Sequence, residues 1–364
     1  MNTAGRKEAS ALLVPIRLLF CLAGGALAVP PEAIEPPRFL LRYVSLDKHE
    51  LARVWEGRAV VRALETNENR EVAVLGMVRV DVPLEFLLNQ YRDIVAFKSD
   101  PAVLQIGKFG SPPSPEDLQN LTLENDDVEA LRKCTIGDCK VKLSAAMMQR
   151  FRNDIDWSSP SRYEEVSRLM RKVLAEYVSR YAVAGNAALL TYDDKKPSVH
   201  LANEFRGVLA GSLFLLESAP EFRAYLVGLP QASPPDVETF LYWSKENLGL
   251  KPVLSITHVT IYRAPGEGPR PCFIASKQIY ASHYFEASLG FTLLVEDAGQ
   301  PGGARTWMLY LNRSRVDGLR GWLAGLKRAI VVRRARGAMQ ALMEQTKGKL
   351  EAKYRAVPTI RTEQ

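Results

Sequence analysis

Lys277 and His283 interrupt an otherwise apolar series. From Phe273 to Val295 the odd positions read Phe273, Ala275, Lys277, Ile279, Ala281, His283, Phe285, Ala287, Leu289, Phe291, Leu293 and Val295. The even ones are mainly Ser, Gln, Tyr, Glu, Gly and Thr. Period two is the pattern of extended backbone, whose side chains alternate between two faces. An amine or imidazole on the apolar face is costly to bury alone, so each must find a partner or open onto a polar cavity. Three roles are open to them. In a mainly apolar pocket, Lys277 and His283, joined by His258 from a facing strand, would be the few polar groups that orient a ligand headgroup. In an enzyme, His283, Lys277 or a tyrosine such as Tyr280 would serve as acid or base. In a purely structural role, His283 sits in a turn and Lys277 snorkels from the sheet edge.

Other reactive types give less. Cys134 and Cys139 flank Thr-Ile-Gly-Asp, and Gly137 permits a tight turn between them, so a small-loop disulfide is expected in an oxidising compartment. A half metal site is the competing reading, but no second cysteine pair or nearby histidine completes it. A redox-active pair normally has two intervening residues rather than four. Cys272 opens an apolar strand and reads as a buried, inert thiol. The sequence has 4 histidines, none in a metal-ligand spacing, so no metal is expected. There is no Gly-x-Ser-x-Gly elbow, no phosphate-binding glycine loop and no haem-attachment motif, so neither a catalytic set nor a cofactor is assigned.

The elements that would position these residues follow from periodicity. A short helix is expected at 47–55, then strands at 58–65 and 71–80 around the loop Thr66–Arg70. Asp81-Val82-Pro83 opens a helix whose apolar positions include Leu84, Leu87, Leu88 and Tyr91, and 103–109 reads as a further strand. The prolines at 112, 113 and 115 mark a change of character, and 116–229 is mostly helical. Helices are expected at 144–155, 200–216 and 220–227. The clearest starts at Ser159-Pro160 with the capping pattern Ser161-x-x-Glu164 and runs to Gly185. From Asp236 an antiparallel meander follows, with strands at 239–245, 252–263, 272–281, 287–296 and 306–315. The alternating run of Phe273–Val295 would be roughly 75 Å long as one strand, so it must fold back near Ser282–Glu286. One long helix ends the chain, with Leu326, Ala329, Val332, Ala335, Met339, Leu342, Thr346 and Leu350 as its apolar stripe.

The first 28 residues concern location. Arg6 and Lys7 precede a segment that, apart from Arg17, is apolar or small and closes on Ala26-Leu27-Ala28, a pattern expected of a cleaved secretory signal. The apolar core after Arg17 is shorter than the roughly 20 residues that span a bilayer. Cleavage after Ala28 would leave a periplasmic or extracellular protein; the alternative is an uncleaved N-terminal anchor. Loss of residues 1–28 removes three basic side chains and one acidic one, lowering the formal charge from +7 to about +5. With 47% hydrophobic residues the remainder has an ordinary globular content. From Arg313 to Lys353 basic residues heavily outnumber acidic ones, which serves either a solvated face or contact with anionic lipid headgroups. Nothing in the chain reads as a nucleic-acid-binding module.

The stretch Val78-Arg79-Val80-Asp81-Val82-Pro83-Leu84-Glu85-Phe86-Leu87-Leu88 looks like the strand entering the first helices of START-like proteins, the helix-grip superfamily of lipid-transfer domains and polyketide cyclases. Trp307–Arg315 leading into Leu319–Leu350 resembles that family's last strand and gripping helix. The resemblance implies an α+β fold, an antiparallel curved sheet wrapped around the long C-terminal helix. The organisation expected is a signal peptide at 1–28, an extended segment and short helix at 29–57, a helix-grip domain formed by 58–110 and 236–355, a helical insertion at 111–235 and a tail at 356–364. The insertion has no counterpart in the minimal family. The resemblance further implies an apolar space between sheet and helix that suits a lipid-like ligand, with Ala335 and Met339 on the wall beside Lys277, His283, His258 and Tyr280. The function expected is an exported, non-catalytic binder or carrier of a hydrophobic molecule. A cyclase- or hydrolase-like enzyme using the same pocket, and an envelope interaction protein with a filled core, are the alternatives.

Overall fold

Eight antiparallel strands and the helices on their two faces account for most of the described residues. The computed structural model describes residues 43–44, 46–217, 219–229, 237–265, 270–297, 305–319 and 324–357, all of which belong to one compact unit. The expected signal segment and its cleavage site lie outside the described residues.

The first helix, α1 (Lys48–Trp55), starts with a reciprocal cap in which Asp47 accepts from the Glu50 amide and the Glu50 side chain accepts from the Asp47 amide. The hairpin β1 (Val60–Leu64) and β2 (Glu71–Val80) follows, then α2 (Leu84–Arg92), α3 (Ile94–Phe97) and β3 (Val103–Lys108). Asp81 does not cap α2. Its first amide instead donates to Glu296, more than two hundred residues away, at 3.0 Å. A helical stretch follows: α4 (Asn125–Arg132), α5 (Ala145–Asn153), α6 (Arg162–Ala184), the short pair β4 (Thr191–Tyr192) and β5 (Val199–His200), α7 (Leu201–Ala210) and α8 (Pro220–Gly228). Ser144 caps α5 as its position suggests. Ser161 does not complete the expected box on α6; its hydroxyl turns to Glu165 at 2.6 Å. The helix expected at 200–216 stops at Ala210, and a 3₁₀ turn takes Leu213–Leu216.

The meander then runs β6 (Val237–Glu246), β7 (Val253–Arg263), β8 (Cys272–Ala281), β9 (Phe285–Asp297) and β10 (Arg305–Val316), and α9 (Ala324–Arg355) closes the described fold. The sheet order is β1-β2-β10-β9-β8-β7-β6-β3, every pairing antiparallel. The long alternating run does fold back, at residues 282–284 between β8 and β9, with Tyr284 at φ +60°. Among the described residues no helix is long and apolar enough to cross a membrane.

Both faces of this sheet are covered, and that decides where the site lies. One face packs on the helices of residues 125–228: Phe273, Ala275, Phe291, Leu293, Trp307 and Leu309 share a core with Val173, Tyr177, Phe205 and Phe222. The other face meets α2, α3 and α9 through Ile274, Leu294, Met308, Val259 and Ile261. Gly76 of β2 lies directly under α9, where an added Cβ would come within 2.3 Å of the Met343 sulfur. Cys134 and Cys139 are joined in a disulfide, as expected from their spacing.

Candidate functional site

A cavity of about 490 Å³ lies between the C-terminal half of α9, the helices α2 and α3, and the sheet. Its floor is built by even-numbered residues of the alternating run, Ile274 and Ser276 on β8 and Thr292 on β9, together with Met308 and Tyr310 on β10 and Tyr242 on β6. Leu87, Tyr91, Ile94 and Phe97 form one wall, and Ala338, Ala341, Leu342, Met343 and Leu350 line the α9 side. Strand pairing aligns the floor: Ser276 stands opposite Gly290, and Thr292 opposite Tyr310. Gly290 leaves room for the Tyr310 ring that lies over it; a Cβ there would sit 3.1 Å from the phenol oxygen.

Several polar groups line this cavity as well, among them Tyr91, Lys98, Asp100, Glu246, Ser276, Lys349 and Lys353, and some of them engage one another. Tyr91 and Ser276 share a hydrogen bond of 2.9 Å between their hydroxyls. Lys98 donates to Glu246 at 2.7 Å, and its ammonium lies 5.3 Å from the centre of the Tyr242 ring. Burial works against the Lys98 charge, but Tyr242 and the Glu246 carboxylate outweigh it and hold the ammonium above its ordinary pKa. Burial likewise pushes Glu246 up, and Lys98 more than reverses this, so the carboxyl stays below its usual value. The pair therefore remains ionised and internally neutral. Burial raises the Tyr91 and Tyr310 hydroxyls, which stay protonated donors at neutral pH. Lys349 at the rim donates to the Ser99 carbonyl at 2.8 Å. Apolar walls, a neutral hydroxyl cluster and a compensated ion pair suit a mostly hydrocarbon ligand carrying an uncharged hydrogen-bonding group.

The residues singled out by sequence sit elsewhere. Lys277, His258, His283 and Tyr280 all belong to the opposite side of the sheet, under the helical layer, and none of them lines the cavity. Lys277 and His258 are cross-strand partners and do come together. The Lys277 ammonium bonds to the Asn186 amide oxygen and lies 4.8 Å from the Phe205 ring centre and 5.4 Å from that of Tyr181. Burial pushes it down to about 7. His258 Nδ1 is 3.0 Å from the Tyr181 hydroxyl, and burial with Lys277 nearby lowers the imidazole to about 4. Such a ring is neutral at pH 7, and Nδ1 shares one hydrogen with the phenol, donating or accepting according to the tautomer. His283 is fixed between the Asp127 carboxylate and the Lys140 carbonyl, each at 3.1 Å, and Lys251 pairs with the same Asp127. Burial would raise Asp127, but His283 and Lys251 hold it below its ordinary value. Tyr280 stacks edge-on against Tyr192, its centroid 6.3 Å away. Ala335 and Met339 pack beside the sheet at β2, next to the cavity rather than on its wall.

The sequence did carry a signal for the residues that line the cavity. Ser276 and Thr292 fall among the polar even positions, a pattern that reads as solvent exposure when a sheet has one covered face. Here it marks a floor. Cys272 points to the same side as the floor, buried, its thiol pushed up to about 12 by burial and therefore unreactive. Among the described residues no cluster of three or more His, Cys, Asp or Glu side chains is placed to hold a metal ion. The sequence was compared with known protein families and with curated proteins, and no match was found in either.

Proposed function

We propose that the chain is an exported, non-catalytic binder or carrier of a hydrophobic, lipid-like molecule, held between the sheet and α9. The observation that carries this reading is the cavity itself, about 490 Å³, with apolar side chains on its floor and both helix walls, convergent hydroxyls from Tyr91, Ser276 and Tyr310, and charged side chains such as Lys98, Glu246 and Lys349 in its lining. A filled-core interaction protein would have no such space beneath the helix. The plan is a helix-grip, with residues 111–235 as an insertion that covers the sheet's other face. The enzyme reading has less support, because the groups suited to acid–base work are tied into the opposite layer. Export is supported by the Cys134–Cys139 bridge, since such bridges persist in oxidising compartments.

Thr292→Phe tests the site. The added ring would project from the floor into the cavity without touching the opposite layer. Retention of a fluorescent fatty alcohol should fall at least tenfold while the circular dichroism spectrum stays that of the parent. Native mass spectrometry of the parent should show a co-purifying apolar adduct that the variant lacks. Equal retention by a folded Thr292→Phe protein would rule the cavity out as the binding site.

A further inference from the structure

Between Ala324 and Met343, α9 carries Lys327, Arg328, Arg333, Arg334 and Arg336 and no carboxylate. Arg328 is engaged with Thr66 at 2.9 Å, whereas Lys327, Arg333, Arg334 and Arg336 are exposed and form no ion pair among the described residues. Leu326 and Ile330, one turn apart, are also exposed, at 64% and 48%. At 100° per residue these two lie on the outermost line of the helix, diametrically away from Ala335 and Met339, which face the sheet. Lys327 and Arg334 flank that line on one side, Arg333 and Arg336 on the other. An exposed apolar pair framed by four unpaired cations matches one partner chemistry in particular: hydrocarbon enters beneath a layer of negative headgroups while the cations engage those headgroups.

We infer that the N-terminal half of α9 is a docking surface for an anionic lipid bilayer, with Leu326 and Ile330 entering the headgroup layer. Uniform positive charge excludes pairing with a second copy of the same face, since like charges would then be juxtaposed. An acidic protein would account for the cations, but not for two exposed aliphatic side chains at the centre of the line. Because the helix continues into the cavity wall at Ala338 and Leu342, docking would place that wall near the bilayer.

Flotation of the full-length protein with vesicles tests this. Vesicles of phosphatidylcholine with 30% phosphatidylglycerol should capture the protein, pure phosphatidylcholine vesicles should not, and raised salt should weaken capture. Each cation near an anionic surface is worth about fivefold in affinity, so combined Lys327→Gln, Arg333→Gln and Arg334→Gln should reduce partitioning roughly a hundredfold. Leu326→Ser with Ile330→Ser should reduce it about tenfold, since each removes buried hydrocarbon. Both variants should retain the fluorescent fatty alcohol as the parent does, which separates this surface from the cavity. The inference is overturned if the charge-neutralised or the Leu326/Ile330 variant binds vesicles like the parent, or if capture does not depend on phosphatidylglycerol. Binding to an acidic polypeptide without binding to vesicles would also overturn it.

Discussion

Lys277 is a lysine buried to 7% exposure that meets two aromatic rings and one amide oxygen and, among the described residues, pairs with no carboxylate. Its ordinary pKa of 10.5 is pushed down to about 7 in the fold. Above pH 10.5 the amine is neutral in both folded and unfolded chains and costs nothing. As pH falls from there towards 7, the unfolded chain binds a proton that the fold resists, so stability is progressively lost; below 7 the loss is constant. Lys277→Met should therefore stabilise the fold at pH 7 by on the order of a few kcal/mol and raise its melting temperature, and the gain should shrink as pH rises and vanish only above about 10.5. A thermal melt series across pH checks this. A gain independent of pH would mean that packing rather than charge is responsible. His258 adds an acid limb by the same logic: its folded pKa of about 4 lies below the ordinary 6.5, so stability should fall between pH 6.5 and 4 and then level off. His258→Gln should flatten that limb. The anomaly at Lys277 was legible in the sequence because a charge in an apolar series has few explanations. What covered it was not legible, since Tyr181, Phe205 and Asn186 come from elements that only tertiary packing brings there.

At the scale of elements, strand positions follow closely from alternation: β2 and β8 begin and end at the expected residues, and β10 extends its expected range by one residue at each end. The faces do not follow. Period two separates two sets of side chains without saying which layer each set meets, and a sheet covered on both sides makes the apolar set no guide to the cavity. The α9 stripe shows a related limit. Leu326 and Leu342 are exposed at 64% and 52%, while Met343 is almost fully buried, because the helix is covered unevenly along its 32 residues. Glycine substitutions separate the two sides of this helix contact. Gly337 and Gly348 have open space where a Cβ would stand, so Gly337→Ala and Gly348→Ala should each stabilise α9 by up to about 1 kcal/mol through helix propensity alone. Gly76→Val should do the opposite, despite the β-propensity of valine, because the Met343 sulfur occupies that space. Denaturant midpoints of the three variants decide whether the helix contact is as close as described.

At the scale of the whole molecule, the helical layer is bound to the sheet by charge as well as by apolar burial. Arg313 and Arg315 of β10 point towards α7; Glu71 at the start of β2 bonds both of them, and Arg315 also reaches Glu204 on α7 at 2.8 Å and Glu68 in the β1–β2 loop at 3.0 Å. Arg70 extends the network to Glu204 and Glu286. Gly207 on α7 and Gly211 at its C-cap are one turn apart and leave a slot for these guanidinium groups: a Cβ at Gly207 would come within 2.1 Å of Arg315 and one at Gly211 within 2.8 Å of Arg313. Pattern reading takes such glycines for weak helix positions, because the arginines they accommodate lie more than a hundred residues away. An added methyl would displace a guanidinium held by three carboxylates, and a buried ion pair broken at one partner costs roughly 3–5 kcal/mol. That exceeds the ~1 kcal/mol of helix propensity gained from alanine. Gly207→Ala should therefore lower stability by about 2 kcal/mol or more, opposite in sign to Gly337→Ala. If the helical layer docks through this slot, hydrogen exchange in α7 should rise in the variant while α9 keeps its protection. A neutral or stabilising Gly207→Ala would mean that Arg315 can leave the slot without loss, and the attachment of the layer would then rest on apolar packing alone.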